Sequence, residues 1–262
     1  MPAYVSHTIM ARDVYKKLNN KKVNLDYMIT YSLGGDLCKY AKCRYASHHQ
    51  KEEDFLYNMC DYMIKNNLKD DSECLGVLYG HVCHLVMDRV VHPLVRKIDK
   101  TCIKSKNNHT MIELYYDNYL SKEKYNLQLN KHNNKELFKG KMNKKISKMI
   151  NEVYSKTYSC DNVSRYYKFN LFLYKKIKLI YKITTFNFLK KVSGMNKFLK
   201  TNKKIDLLNN NHETRYLNER NKETNDSLDS LYEKSVNIAI KHIKEINEYL
   251  EKGVKSEKNK KE

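Results

Sequence analysis

Apolar residues recur at intervals of three and four along most of this chain. In MPAYVSHTIMARDVYKKL, the residues Val5, Ile9, Met10, Val14 and Leu18 fall on one side of a helix of about 3.6 residues per turn. Comparable spacing predicts helices over residues 3–18, 51–67, 73–92, 109–120, 141–158 and 228–250. Strand-like alternation is scarce, and only 2 prolines and 7 glycines occur, so the fold class expected is all-α. With 262 residues, 41% of them hydrophobic, the chain can bury a core as one large helical domain, assigned to residues 1–252. The remaining residues, 253–262, close the polar run EKGVKSEKNKKE and read as a disordered tail. No apolar stretch approaches the roughly 20 residues that a membrane span needs.

The polar residues that interrupt these apolar faces are more informative. In GHVCHLVMDRVVHP, helical spacing brings His81, His84, Asp88 and His92 into one narrow stripe. Imidazoles and a carboxylate on an otherwise apolar segment are costly to bury alone, and a divalent cation is their simplest common partner. His109 and Glu113 stand four apart in NNHTMIELYYDNYL and project from one face of the next helix, so two helices offer ligands. Asp117, one turn further on, reads as a solvated acid near the helix end and stays outside the site. Cys83 falls off the stripe and reads as a small buried residue.

Upstream, His7 lies near the buried side of the first helix. Asp36 follows Gly34 and Gly35, which break regular structure and permit the tight backbone that aims a carboxylate inward. His48 and His49 precede the second predicted helix, and one of the two is expected to face inward. Seven of the 10 histidines fall within the first 109 residues.

These residues resemble the zinc-dependent phospholipases C. The likeness runs in order through the MPxxxxH opening, the GGD turn, the SHH pair, the GxxxHxxxDxxxHP helix and the HxxxE helix. A weaker echo of uncharacterised bacterial members appears in LLNNNHETRYLNERN and SLDSLYEKSVNIAI. The resemblance implies an all-helical domain holding two or three zinc ions. One ion would take Asp36, His48 or His49, His84 and Asp88, and a second would take His92, His109 and Glu113. Asp88 would bridge to a third ion, bound also by His7 and the amino terminus. The secreted enzymes expose an N-terminal Trp, whereas this chain has no Trp, and methionine removal would present Pro2 instead. The shorter Asp88 to His92 spacing is similar to that of cytoplasmic relatives. His81 has no counterpart in the family pattern and reads as a core residue or one that orients a ligand from outside the shell. The reaction implied is hydrolysis of the glycerol-side phosphodiester of a phospholipid by metal-activated water, with Asp36 as general base.

Charge adds a second theme. Residues 1–120 hold 17 basic and 14 acidic groups, residues 121–205 hold 22 and 4, and the remainder 11 and 12, so almost the whole net charge of +20 sits in the middle. Within SRYYKFNLFLYKKIKLIYKITTFNFLKKVSGMNKFLK, lysines alternate with aromatic and aliphatic residues. Lys175, Lys176, Lys178, Lys182, Lys190 and Lys191 are therefore read as contacts to an anionic membrane surface. The same composition suits single-stranded nucleic acid. A zinc nuclease is accordingly the alternative function, followed by a non-catalytic metal- or membrane-binding module. The 7 cysteines show no CxxC spacing, and no secretory signal is evident. The expected location is the cytoplasm, peripheral at the inner membrane face.

Overall fold

A computed structural model describes residues 4–43, 51–103, 108–126, 138–183 and 195–258. The chain is all-α. Its helices are α1 (Tyr4–Leu18), α2 (Leu25–Tyr31), α3 (Glu52–Lys65), α4 (Ser72–Thr101), α5 (Asn108–Tyr125), α6 (Lys144–Tyr158), α7 (Val163–Ile183) and α8 (Leu228–Lys258). A 3-10 turn, Gly34–Cys38, follows α2, and a two-stranded antiparallel hairpin pairs Tyr216–Leu217 with Glu223–Thr224.

Helix α4 is the axis of the molecule. Asp71 caps its first turn by accepting from the amides of Glu73 and Cys74 at 3.1 and 3.0 Å. By length and composition this helix could cross a membrane, which the sequence reading did not foresee. Its apolarity has another cause, since 89% of its most apolar stretch is buried by the surrounding helices. Two glycines let α2 cross it closely. A Cβ on Gly76 would come within 2.6 Å of the Asn24 carbonyl, and one on Gly80 within 2.7 Å of the Met28 carbonyl.

The long α8 packs along α4 and α1, burying Leu231, Tyr232, Val236, Ala239, Ile243 and Ile246. It runs to Lys258, past the point at residue 252 where the sequence reading ends the ordered domain. Part of the basic middle segment forms α7. Val163, Tyr167, Leu171 and Tyr174 face the core, while Arg165, Lys168, Phe169 and Phe172 face outward. Helices α2 and α7 were not among the predicted spans.

Candidate metal centre

His84, Asp88 and His92 follow one another at four-residue intervals on α4, so their side chains stack with a slow drift around the axis. Helix α1 and the 3-10 turn bring His7 and Asp36 to His84. Helix α5 brings His109 and Glu113 to His92. Ligand-type atoms of His7, Asp36 and His84 lie within 4.8 Å of one another, and those of His92, His109 and Glu113 do the same.

Asp88 stands between the two groups. Its Oδ1 is 3.2 Å from His7 Nε2 and 3.9 Å from His92 Nδ1, and its Oδ2 is 3.6 Å from His84 Nε2. Glu113 Oε1 accepts from His92 Nε2 at 3.2 Å and from His109 Nε2 at 3.0 Å. The first group is closed, with His84 fully buried, whereas the His109 side chain is 41% exposed and opens the second group to solvent.

A glycine builds the closed side. Gly34 has φ +42, and a Cβ there would lie 2.3 Å from His84 Cδ2, so backbone and imidazole share space that only glycine leaves. Gly34→Ala is therefore expected to displace the His84 ring and cost about one metal equivalent as well as stability. Elemental analysis alongside a melting curve reads both effects.

The electrostatics favour a cation. Burial opposes charge on His7, yet its hydrogen bond to Asp88 and the charges of Asp88, Asp36 and Asp117 outweigh this and raise its pKa. Burial likewise opposes charge on His92, but Asp88 and Glu113 lift it to about 9. Burial would raise Asp88, and the facing His92, His84 and His7 instead hold it well below the usual carboxylate range. Imidazoles that bind protons this readily are suited to exchanging them for a metal, and a carboxylate held ionised beside them is ready to ligate one. His7 Nδ1 is buried and has no hydrogen-bond partner among the described residues. A cavity of about 30 Å³, bordered by His7, Asp88, His92 and Glu113, has room for a single small species. The nitrogen and carboxylate donors, the orphaned nitrogen and the size of the space all fit zinc.

Several expected residues fall elsewhere. His48, His49 and Pro2 lie outside the described residues, as do Lys190 and Lys191. Lys176, Lys178 and Lys182 belong to α7, but their side chains lie outside the description. Lys175 is half-buried, and burial together with Lys141 lowers its pKa. The structure places His7 in one group with Asp36 and His84, whereas the resemblance gives it to a separate ion. His81 turns into the core. Its Nδ1 lies 2.8 Å from the Val77 carbonyl and its Nε2 2.9 Å from Tyr167 Oη, and burial lowers its pKa to about 4, so the ring is neutral.

Asp117 is a correction. Far from being a solvated acid, it is completely buried and accepts from the amides of Val5 and Ser6, at 3.1 and 2.7 Å, and from the Ser6 hydroxyl. It caps α1 across space and so fixes the helix that carries His7.

A family model for zinc dependent phospholipase C matches residues 6–160, more than half of the chain. The chain belongs to the zinc-dependent phospholipase C family. The match takes in every member of both ligand groups and ends before α7, the hairpin and α8. No curated protein and no solved structure matches the chain. Membership points to hydrolase chemistry of the zinc-dependent phospholipase C type, and phospholipid is the substrate class of the family.

Proposed function

We propose that this protein hydrolyses the glycerol-side phosphodiester of a phospholipid at an anionic membrane surface on the cytoplasmic side. The observation that carries the reading is the convergence of two ligand groups on Asp88 at the border of an open cleft. His7, Asp36, His84 and Asp88 would hold one zinc ion and His92, His109 and Glu113 a second, with a third position available if the amino terminus contributes. Zinc so held would supply Lewis-acid activation of water near neutral pH and positive charge for the phosphoryl oxygens. Asp36 acts as general base, its carboxylate accepting the proton of the attacking water. An oxygen–phosphorus bond forms, the bond from phosphorus to the glycerol oxygen breaks, and that oxygen leaves with a proton. The products are a diacylglycerol and a phosphorylated headgroup.

The outward face of α7 supports the membrane reading. Phe169 and Phe172 are exposed on the same helical face as Arg165 and Lys168, and the Tyr40 ring sits 5.8 Å from that of Phe169. Exposed aromatics flanked by cations suit the interface of an anionic bilayer. All seven cysteines are free, buried thiols, in keeping with a reducing compartment.

The test is zinc content of protein purified without chelator, compared with His84→Ala and His109→Ala, followed by phospholipid hydrolysis on the same samples. Two or three zinc ions per chain are expected in the parent, with metal and hydrolysis lost together in each variant. A parent that carries no zinc and cannot be reloaded would sink the assignment.

A further inference from the structure

Beside the metal centre lies an open cavity of about 700 Å³, within the range of small-molecule sites. One wall is α4 from Asp88 to Lys100, and the other is the hairpin region from Arg215 to Glu223. Asp88 and His92 belong to its lining, so the cavity and the metal centre share a border. The hairpin lies outside the segment matched to the family.

The four-residue stripe of ligands on α4 does not stop at His92. It continues as Arg96 and Lys100, with Arg89 and Lys97 flanking it, and Arg215 faces them from the hairpin side. At 1.5 Å rise per residue, Arg96 stands about 6 Å and Lys100 about 12 Å beyond His92 along the axis. Arg96 is close enough for its charge to oppose protonation of His92. The acids in the lining are Glu52, Asp88, Glu219 and Glu223. Asp88 is engaged with the three histidines, and Glu219 is bound to Lys234 at 3.0 Å. Arg96, Lys97, Lys100 and Arg215 have no acidic partner within ion-pair distance among the described residues. Over the whole lining five cationic side chains, Arg89, Arg96, Lys97, Lys100 and Arg215, stand against four acids, of which Asp88 and Glu219 are engaged, and four of the five cations lie on the α4 wall.

The hairpin wall is fixed in place. Asn209, fully buried, donates to the carbonyls of Thr214, Asn225 and Asp226 and accepts from the Thr214 amide, and the Tyr216 hydroxyl donates to the Asp226 carbonyl.

We propose that this cleft receives a headgroup bearing its own phosphate, so that the substrate class is an acidic phospholipid with a phosphorylated headgroup. The inference rests on the phosphodiesterase reading and narrows it. A scissile phosphorus at the metal groups places a second phosphate over Arg96 and Lys100, where guanidinium and ammonium donors can bind it. A quaternary ammonium headgroup would need an aromatic face. Apart from the His92 ring at the metal centre, the only aromatic among the described residues of the lining is Tyr216, which is 5% exposed. The same lack of an exposed ring argues against single-stranded nucleic acid, whose bases need stacking platforms.

The experiment uses zinc-loaded protein and vesicles carrying either phosphatidylinositol 4-phosphate or phosphatidylcholine in the same diluent. The ratio of kcat/KM for the two lipids is read within each protein, so that any overall loss in a variant cancels. Arg96 and Lys100 are exposed, and Arg96→Gln/Lys100→Gln should melt with the parent. The parent is expected to prefer the phosphorylated headgroup at least tenfold, and the double variant to lose most of that ratio. In parallel, soluble inositol 1,4-bisphosphate should bind the double variant at least tenfold more weakly than the parent, and inorganic phosphate should bind the parent more weakly than the bisphosphate.

Hydrolysis with a ratio and bisphosphate binding untouched by the substitutions overturns the inference and leaves the phosphodiesterase reading standing. Phosphate binding as tight as the bisphosphate overturns the headgroup assignment in favour of a free-phosphate site. Faster cleavage of a single-stranded oligonucleotide than of either lipid, lost in the double variant, assigns the cleft to nucleic acid and overturns the lipid occupant. If neither lipid is hydrolysed while bisphosphate binding still depends on Arg96 and Lys100, the phosphodiesterase reading fails and the cleft remains a polyphosphate site.

Discussion

Asp88→Asn is expected to abolish phospholipid hydrolysis, lowering kcat by about three orders of magnitude while the protein still folds. The asparagine keeps the volume and position of the side chain but removes the negative charge that faces His7, His84 and His92 at 3.2, 3.6 and 3.9 Å. Both ligand groups lean on this one carboxylate, so zinc content should fall in both, unlike the single loss expected from His109→Ala. The fold should survive because Asp88 sits at the partly exposed edge of α4, with its side chain 16% accessible, and the core packing of Val86, Val90 and Leu94 is untouched. Circular dichroism, zinc stoichiometry and turnover on one preparation separate these effects. A variant that keeps full zinc and turnover would show that the two groups are held without Asp88.

The lengthwise order of ligands on α4 was legible because it depends on one parameter, the helical period. Given a helix, His84, Asp88, His92 and the continuation to Arg96 and Lys100 must lie on one winding stripe. The pair His109 and Glu113 follows by the same rule. What the period cannot supply is which side of the stripe meets which neighbour. His81 stands only three residues before His84, yet it is claimed by Tyr167, a residue 86 positions away whose hydroxyl also meets that of Tyr154. Nothing local to His81 encodes that partner.

Helix α2 is seven residues long, too short for periodicity to declare itself, and it exists because α4 offers Gly76 and Gly80 for it to cross. Helix α7 was hidden by its own composition, since Lys, Tyr and Phe alternate so densely in it that its inward tyrosines, Tyr167 and Tyr174, resemble its outward phenylalanines. The Gly34–Gly35 turn was readable as a device for aiming Asp36. Its second role, making room for the His84 ring, belongs to the packing of two segments 50 residues apart.

Asp117 is the residue on which the sequence and the fold disagree most, and replacing it should have the largest effect on stability. Its two carboxylate oxygens satisfy two amides in the first turn of α1 and the Ser6 hydroxyl, all out of reach of water. Asp117→Ala strands these donors, at about 1–3 kcal/mol for each buried group left unpaired, and removes a negative charge from a helix N-terminus. A total loss of roughly 3–5 kcal/mol follows, a fall of about 10 °C in Tm for a chain of this size. His7 is one residue beyond Ser6, so fraying of this turn should weaken zinc at the His7, Asp36 and His84 group and spare the His92, His109 and Glu113 group.

Asp117→Asn isolates the charge from the hydrogen bonds. Burial lifts the Asp117 carboxyl to about 6, against the Ser6 and Val5 donors and the nearby His7 that hold it down. A carboxyl whose folded pKa lies above its unfolded value stabilises the fold at low pH and loses that contribution as pH rises through the folded value. In chelator-treated protein, where no metal charge reaches the site, the parent should lose on the order of 3 kcal/mol through this group between about pH 4 and 6. Asn cannot titrate, so the stability gap between parent and Asp117→Asn should narrow over the same interval. Urea titrations at pH 4.5 and 7.5 measure it. A gap that widens with pH would mean that the three hydrogen bonds outweigh burial and that Asp117 caps α1 as a carboxylate throughout.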